Sequence, residues 1–215
     1  ASTDNKEGVR AHTFSSARLT SLKVNGKVMT EGSWNAAVAG EFGVPVIMIS
    51  GDDAAVNEVK SVIGNAEGAI VKESISFHSA KSLHPEAAYD LIAEKTSYAV
   101  KNIKKYKPYK IKGPVTVSVS FKHYQPSQIL SYLKMFNRID SHTIEFKAKN
   151  MIELALEQKP DDAYFIDSLA WYYFKVSNYE QANSLLSYAS QLAPADAVIN
   201  EHYGDTLWKV GKYIE

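Results

Sequence analysis

The apolar pattern changes period twice within the first fifty residues, which constrains the fold more than any other property of the chain. From Leu22 to Val28 it alternates like a strand around Asn25-Gly26, the favoured pair for a two-residue hairpin turn. From Gly32 to Phe42 it becomes helical: Trp34, Val38 and Phe42 fall four apart with alanines between them, and Gly43 sits where a helix C-cap is expected. The run Val44-Pro45-Val46-Ile47-Met48-Ile49 then predicts a strand buried on both faces, as in parallel sheets.

The alternation continues downstream. Ser50-Gly51-Asp52-Asp53 is a strand-to-helix turn, with either aspartate able to cap a helix running through Ile63. Ala69-Ile70-Val71 predicts a short strand. Pro85 opens a long amphipathic helix bearing Ala88, Leu91, Ile92, Tyr98, Ala99 and Ile103. After Gly113-Pro114, the residues Val115, Val117, Val119 and Phe121 alternate with Thr116, Ser118 and Ser120, a half-buried strand. A helix starting at Pro126, a strand with Ile144 and Phe146, and a helix from Ala148 through Leu156 complete the series. The expected fold class is α/β: a mostly parallel sheet flanked by helices, incomplete at its N-terminus, over residues 1–157.

Residues 158–215 change character to helical, aromatic and repetitive. A shift of 34 positions lays Asp167 on Glu201, Leu169 on Tyr203, Ala170 on Gly204 and Tyr173 on Leu207, and aligns Lys175-Val176-Ser177-Asn178-Tyr179 with Lys209-Val210-Gly211-Lys212-Tyr213. With Ala182, Leu186, Ala189 and Pro194 in register, this segment resembles the tetratricopeptide repeat (TPR), with one full and one partial unit. The aromatics Tyr164, Phe165, Trp171, Tyr172, Tyr173 and Phe174 suit packing between such helices better than a cofactor box.

Composition excludes several functions. There is no cysteine, so disulfides, thiol catalysis and thiolate metal sites are out, and the chain fits a reducing, cytoplasmic setting. Lys+Arg and Asp+Glu balance at 24 each, which gives no overall field for nucleic acid or an anionic membrane. The lysines between Lys101 and Lys112, interleaved with tyrosines, read as the solvated end of a helix rather than a nucleic-acid patch. No apolar run approaches the length of a membrane span.

Few residues have the chemistry for catalysis. His12 can bind metal or act as acid, base or nucleophile, and Glu31 can bind metal. Each also has a plain reading: His12 as a loop residue, and Glu31 as a helix N-terminal charge favoured by the dipole. Asp52 and Asp53 sit at the carboxyl end of an expected strand, where open α/β sheets bind ligands, yet capping accounts for them as well. His78 and His84 lack a third ligand at metal spacing and read as surface residues. Ser50-Gly51 lacks the frame of a nucleophile elbow.

Beyond these local readings, dense segments carry a family likeness: HTFSS at His12–Ser16, NGK-x3-EG-x2-N from Asn25, AGEFGVPVIMISGDD from Ala39, VKE at Val71–Glu73, SLHPEAA from Ser82, GPVTVSVSF from Gly113 and RIDSHTIEF from Arg138. Over roughly residues 8 to 156 the chain resembles the zinc-dependent D-aminopeptidases of the DppA type. The resemblance implies an α/β metallopeptidase, a hydrolase that removes N-terminal D-residues from short peptides and assembles as a ring-shaped homo-oligomer. It implies a catalytic role for His12, zinc ligation by Glu31, and an aspartate pair, Asp52 and Asp53, at the edge of the site. The family's Asp-x-Glu ligand strand and its two further ligand histidines have no counterpart in this sequence. The chain therefore reads as the C-terminal portion of such an enzyme, incomplete or inactive in isolation. The alternative is a non-catalytic TPR interaction module, with a protein or peptide partner, on a degenerate peptidase scaffold.

Overall fold

A computed structural model describes residues 1–151 and 162–211, apart from the side chain of Phe165. Two units separate by backbone proximity, Ala1–Ala148 and Lys149–Glu215. The expected boundary at 157/158 lies outside the described residues.

In the first unit, β1 (Leu19–Val24) turns through Asn25-Gly26 into β2 (Lys27–Val28). Both turn residues have positive φ, 49° and 78°, the backbone that an Asn-Gly hairpin provides at low cost. The helix α1 (Glu31–Glu41) follows, then β3 (Met48–Asp52), α2 (Asp53–Ile63), β4 (Glu67–Ser76), β5 (Ser79–Ser82) and α3 (Pro85–Lys101). The unit ends with β6 (Val115–Phe121), α4 (Tyr124–Leu130), β7 (Asn137–Arg138) and β8 (Thr143–Ala148).

These strands form two sheets, and the expectation of a mostly parallel sheet is corrected. The five-stranded sheet, in the order β2-β1-β6-β8-β7, is antiparallel throughout. The three-stranded sheet, β3-β4-β5, holds the parallel pair, β3 with β4, while β5 returns antiparallel. The physical reason is visible in β6. Its valines are buried or partly buried while Thr116, Ser118 and Ser120 take the other face, the one-sided burial typical of antiparallel sheets. The βαβα alternation misleads because α1 connects strands of different sheets.

The run Val44–Ile49 is likewise not a doubly buried strand. Val44 is 54% exposed and β3 starts only at Met48, past Pro45, which cannot donate to a ladder. The short strand expected at Ala69–Val71 is the middle of a longer β4 that pairs with a strand, β5, lacking any strong apolar signal. Ala148 closes β8 rather than opening a helix; of the helix expected through Leu156, residues 152–156 lie outside the described residues.

Packing follows from this layout. Helices α2 and α3 lie against β3 and β4, α1 meets α2, and α4 covers β6, β7 and β8. The core draws Leu22, Val24, Met29, Trp34, Val56, Val59, Val115, Val117 and Ile144 below one-tenth exposure. Tyr106 closes one edge of it. Its hydroxyl donates to Glu67 Oε1 at 3.0 Å, and burial, with Glu67 adding to it, pushes the phenol pKa up.

Among its described residues the second unit has the helices α5 (Ala163–Lys175), α6 (Tyr179–Leu192) and α7 (Ala197–Lys209). Small buried residues, Ala170, Ala182 and Ala189, let them approach closely, with Leu186 and Ile199 filling the space between. A polar clasp joins α5 to α7: Asp167 lies 2.8 Å from His202 Nδ1, and Trp171 stacks on the imidazole at 3.9 Å. Burial raises the Asp167 pKa, and the facing imidazole pulls it back down.

Gly40 marks the tightest approach in the first unit. A Cβ there would lie 1.8 Å from the Tyr109 carbonyl oxygen, and backbone cannot swing aside as a side-chain tip can. Gly40→Ala is therefore expected to lower the unfolding free energy by about 2 kcal/mol or more, as overpacking does. Urea denaturation of the purified variant measures it, and unchanged stability would refute this close packing.

Candidate functional site

The segment carrying His12 is unusually constrained. Arg10 and Phe14, two residues to either side, have φ of 49° and 59°, a region that bulky side chains enter only when the surroundings impose it. Those surroundings are identifiable. The Arg10 N–H donates to the Phe77 carbonyl at 2.9 Å, and the guanidinium lies over the Phe77 ring. Ala11 and Thr13 are buried, and Thr13 donates through its hydroxyl to the Ala1 carbonyl at 2.8 Å. His12 itself is exposed between these anchors.

One ring nitrogen of His12 has a defined partner. Nδ1 faces the Arg10 carbonyl.

Phe14 brings this segment to α1. Its ring meets Trp34 edge-on, 5.5 Å between centroids, and Trp34 is buried. Glu31, the first residue of α1, is exposed at the positive end of the helix dipole, which favours its charge. The helix start is fixed by a reciprocal cap: Ser33 N–H donates to Thr30 Oγ1 at 3.0 Å, and Thr30 N–H donates to Ser33 Oγ at 2.8 Å. The T-x-x-S spacing was the sequence signal for this cap, while nothing local announces the Phe14–Trp34 contact. The segments of His12 and Glu31 are thus tied together two or three residues from the residues themselves.

The aspartate pair divides its work. Asp52 is buried; its Oδ1 accepts from Ala55 N–H at 2.7 Å, capping α2, and its Oδ2 accepts from Val9 N–H at 2.8 Å. Both oxygens therefore serve the backbone, so capping is the role Asp52 has here. Asp53 Oδ1 accepts from Ser74 N–H at 2.9 Å, linking α2 to β4. His78 and His84 are exposed, and His84 lies 3.9 Å from Glu86 at the start of α3.

A zinc site needs several carboxylate and imidazole ligands around one point. Among the described residues, no three His, Asp or Glu side chains come together to hold a metal ion. The donors present do not by themselves fit the metal.

If Asp52 acts as a backbone clamp, Asp52→Ala should cost about 2–3 kcal/mol, for a lost cap and a stranded N–H. Chemical denaturation with and without added zinc tests this, since a loss that grows in zinc would identify Asp52 as a ligand instead.

Comparison with known proteins converges on one family. The family model described as D-aminopeptidase, Peptidase M55, matches residues 1–156. The D-aminopeptidase of Bacillus subtilis (strain 168) is 34% identical over 131 residues, which covers 60% of this chain and 48% of that protein. Among solved structures, the Zn-dependent D-aminopeptidase DppA from Bacillus subtilis, a self-compartmentalizing protease, is similar with a TM-score of 0.65 and 25% identity. That match covers 90% of this chain and 60% of the other. The chain thus spans about half the length of the curated relative that it matches.

Proposed function

The chain belongs to the D-aminopeptidase family, and from that premise we propose that residues 1–156 form part of a zinc metallo-aminopeptidase that removes N-terminal D-amino acids from short peptides. The observation that carries this reading is the presentation of His12. An exposed imidazole is held between two residues of strained backbone on a segment clamped to the helix that Glu31 begins. Strain of this kind costs about 1–3 kcal/mol per residue and is retained where surrounding structure enforces it, often at functional sites.

In this reading His12 is the catalytic group and Glu31 a metal ligand. Hydrolysis of a peptide bond by a metallopeptidase needs further ligands to hold the ion and lower the pKa of its water. Because the described residues do not gather them, we assign no step through the metal and expect the chain alone to be incomplete or inactive. The remaining ligands would have to come from outside the described residues or from another chain. The relative named as self-compartmentalizing supports a homo-oligomeric assembly for this chain as well.

The experiment is metal analysis of the purified chain together with release of D-alanine from D-Ala-D-Ala. The expected result is no stoichiometric zinc and no turnover by the chain alone. Activity would arise only with added protein supplying the missing ligands, and His12→Ala or Glu31→Gln would abolish it. Turnover by the isolated chain would overturn the incomplete-site reading, and full activity in both variants would overturn the assigned roles.

A second reading concerns the helical segment. From Ala163–Lys175 to Ala197–Lys209, α7 repeats α5 in length at a shift of about 34 positions, the period of a TPR. This favours a TPR-like module that binds a peptide or partner helix in the cytoplasm. Partner capture should fail after removal of residues 161–215, and an unchanged partner set would count against it.

A further inference from the structure

The lysines beyond α3 are solvent-exposed, and two of them share a cavity with a third from a distant part of the sequence. Lys110 and Lys112 meet Lys27, from the β1–β2 hairpin, around a cavity of about 280 Å³. Val24, Ile111 and Tyr109 supply its apolar walls. The three lysines come from parts of the sequence more than eighty positions apart, so the cluster is a product of tertiary structure. The tight seating of Tyr109 against Gly40 fixes the wall that carries Lys110 and Lys112.

The charged residues that line this cavity are all cationic. None of the lining residues is acidic. Among the described residues, none of the three ammonium groups lies in an ion pair; the acid that Lys110 faces is Glu41, at the end of α1, whose partial burial raises its pKa. Asn25 also borders the cavity, but its side-chain oxygen is engaged by Thr116 N–H at 2.8 Å. Three lysines lining one cavity raise the local positive potential, which a bound anion would relieve.

We infer that this cavity is a binding site for a small amphipathic carboxylate, a monoanion on a compact apolar body. The lysine rim supplies point charges for the carboxylate rather than the planar fork that bidentate recognition would need. The Val24, Ile111 and Tyr109 walls suit an aromatic or branched apolar body, which inorganic phosphate lacks. The cavity falls just below the usual range for drug-sized ligands, roughly 300–1,000 Å³, and so favours a ligand of about one ring or one amino-acid side chain. This site shares no lining residue with the segments of His12 and Glu31 and stands independently of the peptidase reading.

The test is titration of the full chain with benzoate, its neutral isostere benzamide, and inorganic phosphate, followed by calorimetry and by amide chemical shifts. Benzoate is expected to saturate one site, shift Tyr109 and Ile111, and weaken as salt rises. Benzamide should bind at least about tenfold more weakly. Lys110→Gln with Lys112→Gln should weaken benzoate by about tenfold or more, since hydrogen bonds to charged groups are lost. Both lysines are exposed, so the fold of the double variant can be checked by circular dichroism; the shift map of the unsubstituted chain gives an independent readout. The inference is overturned if benzoate does not saturate, if its shifts fall elsewhere, if the double variant binds equally well, or if phosphate binds more tightly than benzoate.

Discussion

The buried carboxylate of Asp52 is the constraint on which the first unit turns. It closes β3, caps α2 and holds the Val9 N–H, so one side chain fixes a strand exit, a helix start and the approach of the N-terminal segment. A buried carboxylate is tolerated only when its oxygens are satisfied, and here two backbone donors do that. Three residues beyond Val9, His12 inherits its position from this anchor and from the Arg10 contact with Phe77.

Strain and packing then act together. The positive φ values at Arg10 and Phe14 would relax in a free loop; the contacts of Arg10, Thr13 and Phe14 hold them. The result is an exposed imidazole on a constrained mount, on a segment tied to α1. Such a mount suits a group that must meet a reacting centre in one orientation. Asp52 adds to this mount, since its Oδ2 accepts from the Val9 N–H three residues before His12, while Asp53 holds the Ser74 N–H of β4.

Much of the local structure was legible. Asn25-Gly26 specified a hairpin because both residues accept positive φ. The four-residue spacing of Trp34 and Val38 specified α1, Pro85 specified the start of α3, and the valine alternation specified β6. Strand direction was misread because the strand–helix order and the apolar run Val44–Ile49 suggested a parallel sheet, although the one-sided alternation of β6 is itself typical of antiparallel sheets. β5 was hidden because Ser79-Ala80-Lys81-Ser82 lacks the apolar alternation that marks a strand. At the candidate site, His12 and Glu31 could be named from residue type and family likeness, but the edge-on contact of Phe14 with Trp34 could not.

By itself the sequence determined most of the element types, the family of residues 1–156 and the 34-residue period of the C-terminal segment, because these depend on local periodicity and on motifs contiguous in the chain. Only the tertiary structure decided that the sheets are antiparallel and mixed, that both carboxylate oxygens of Asp52 accept from backbone N–H groups, and that Lys27 faces the same cavity as Lys110 and Lys112. Each of those depends on which distant backbone group or charge comes within a few ångströms, and that distance is set by packing.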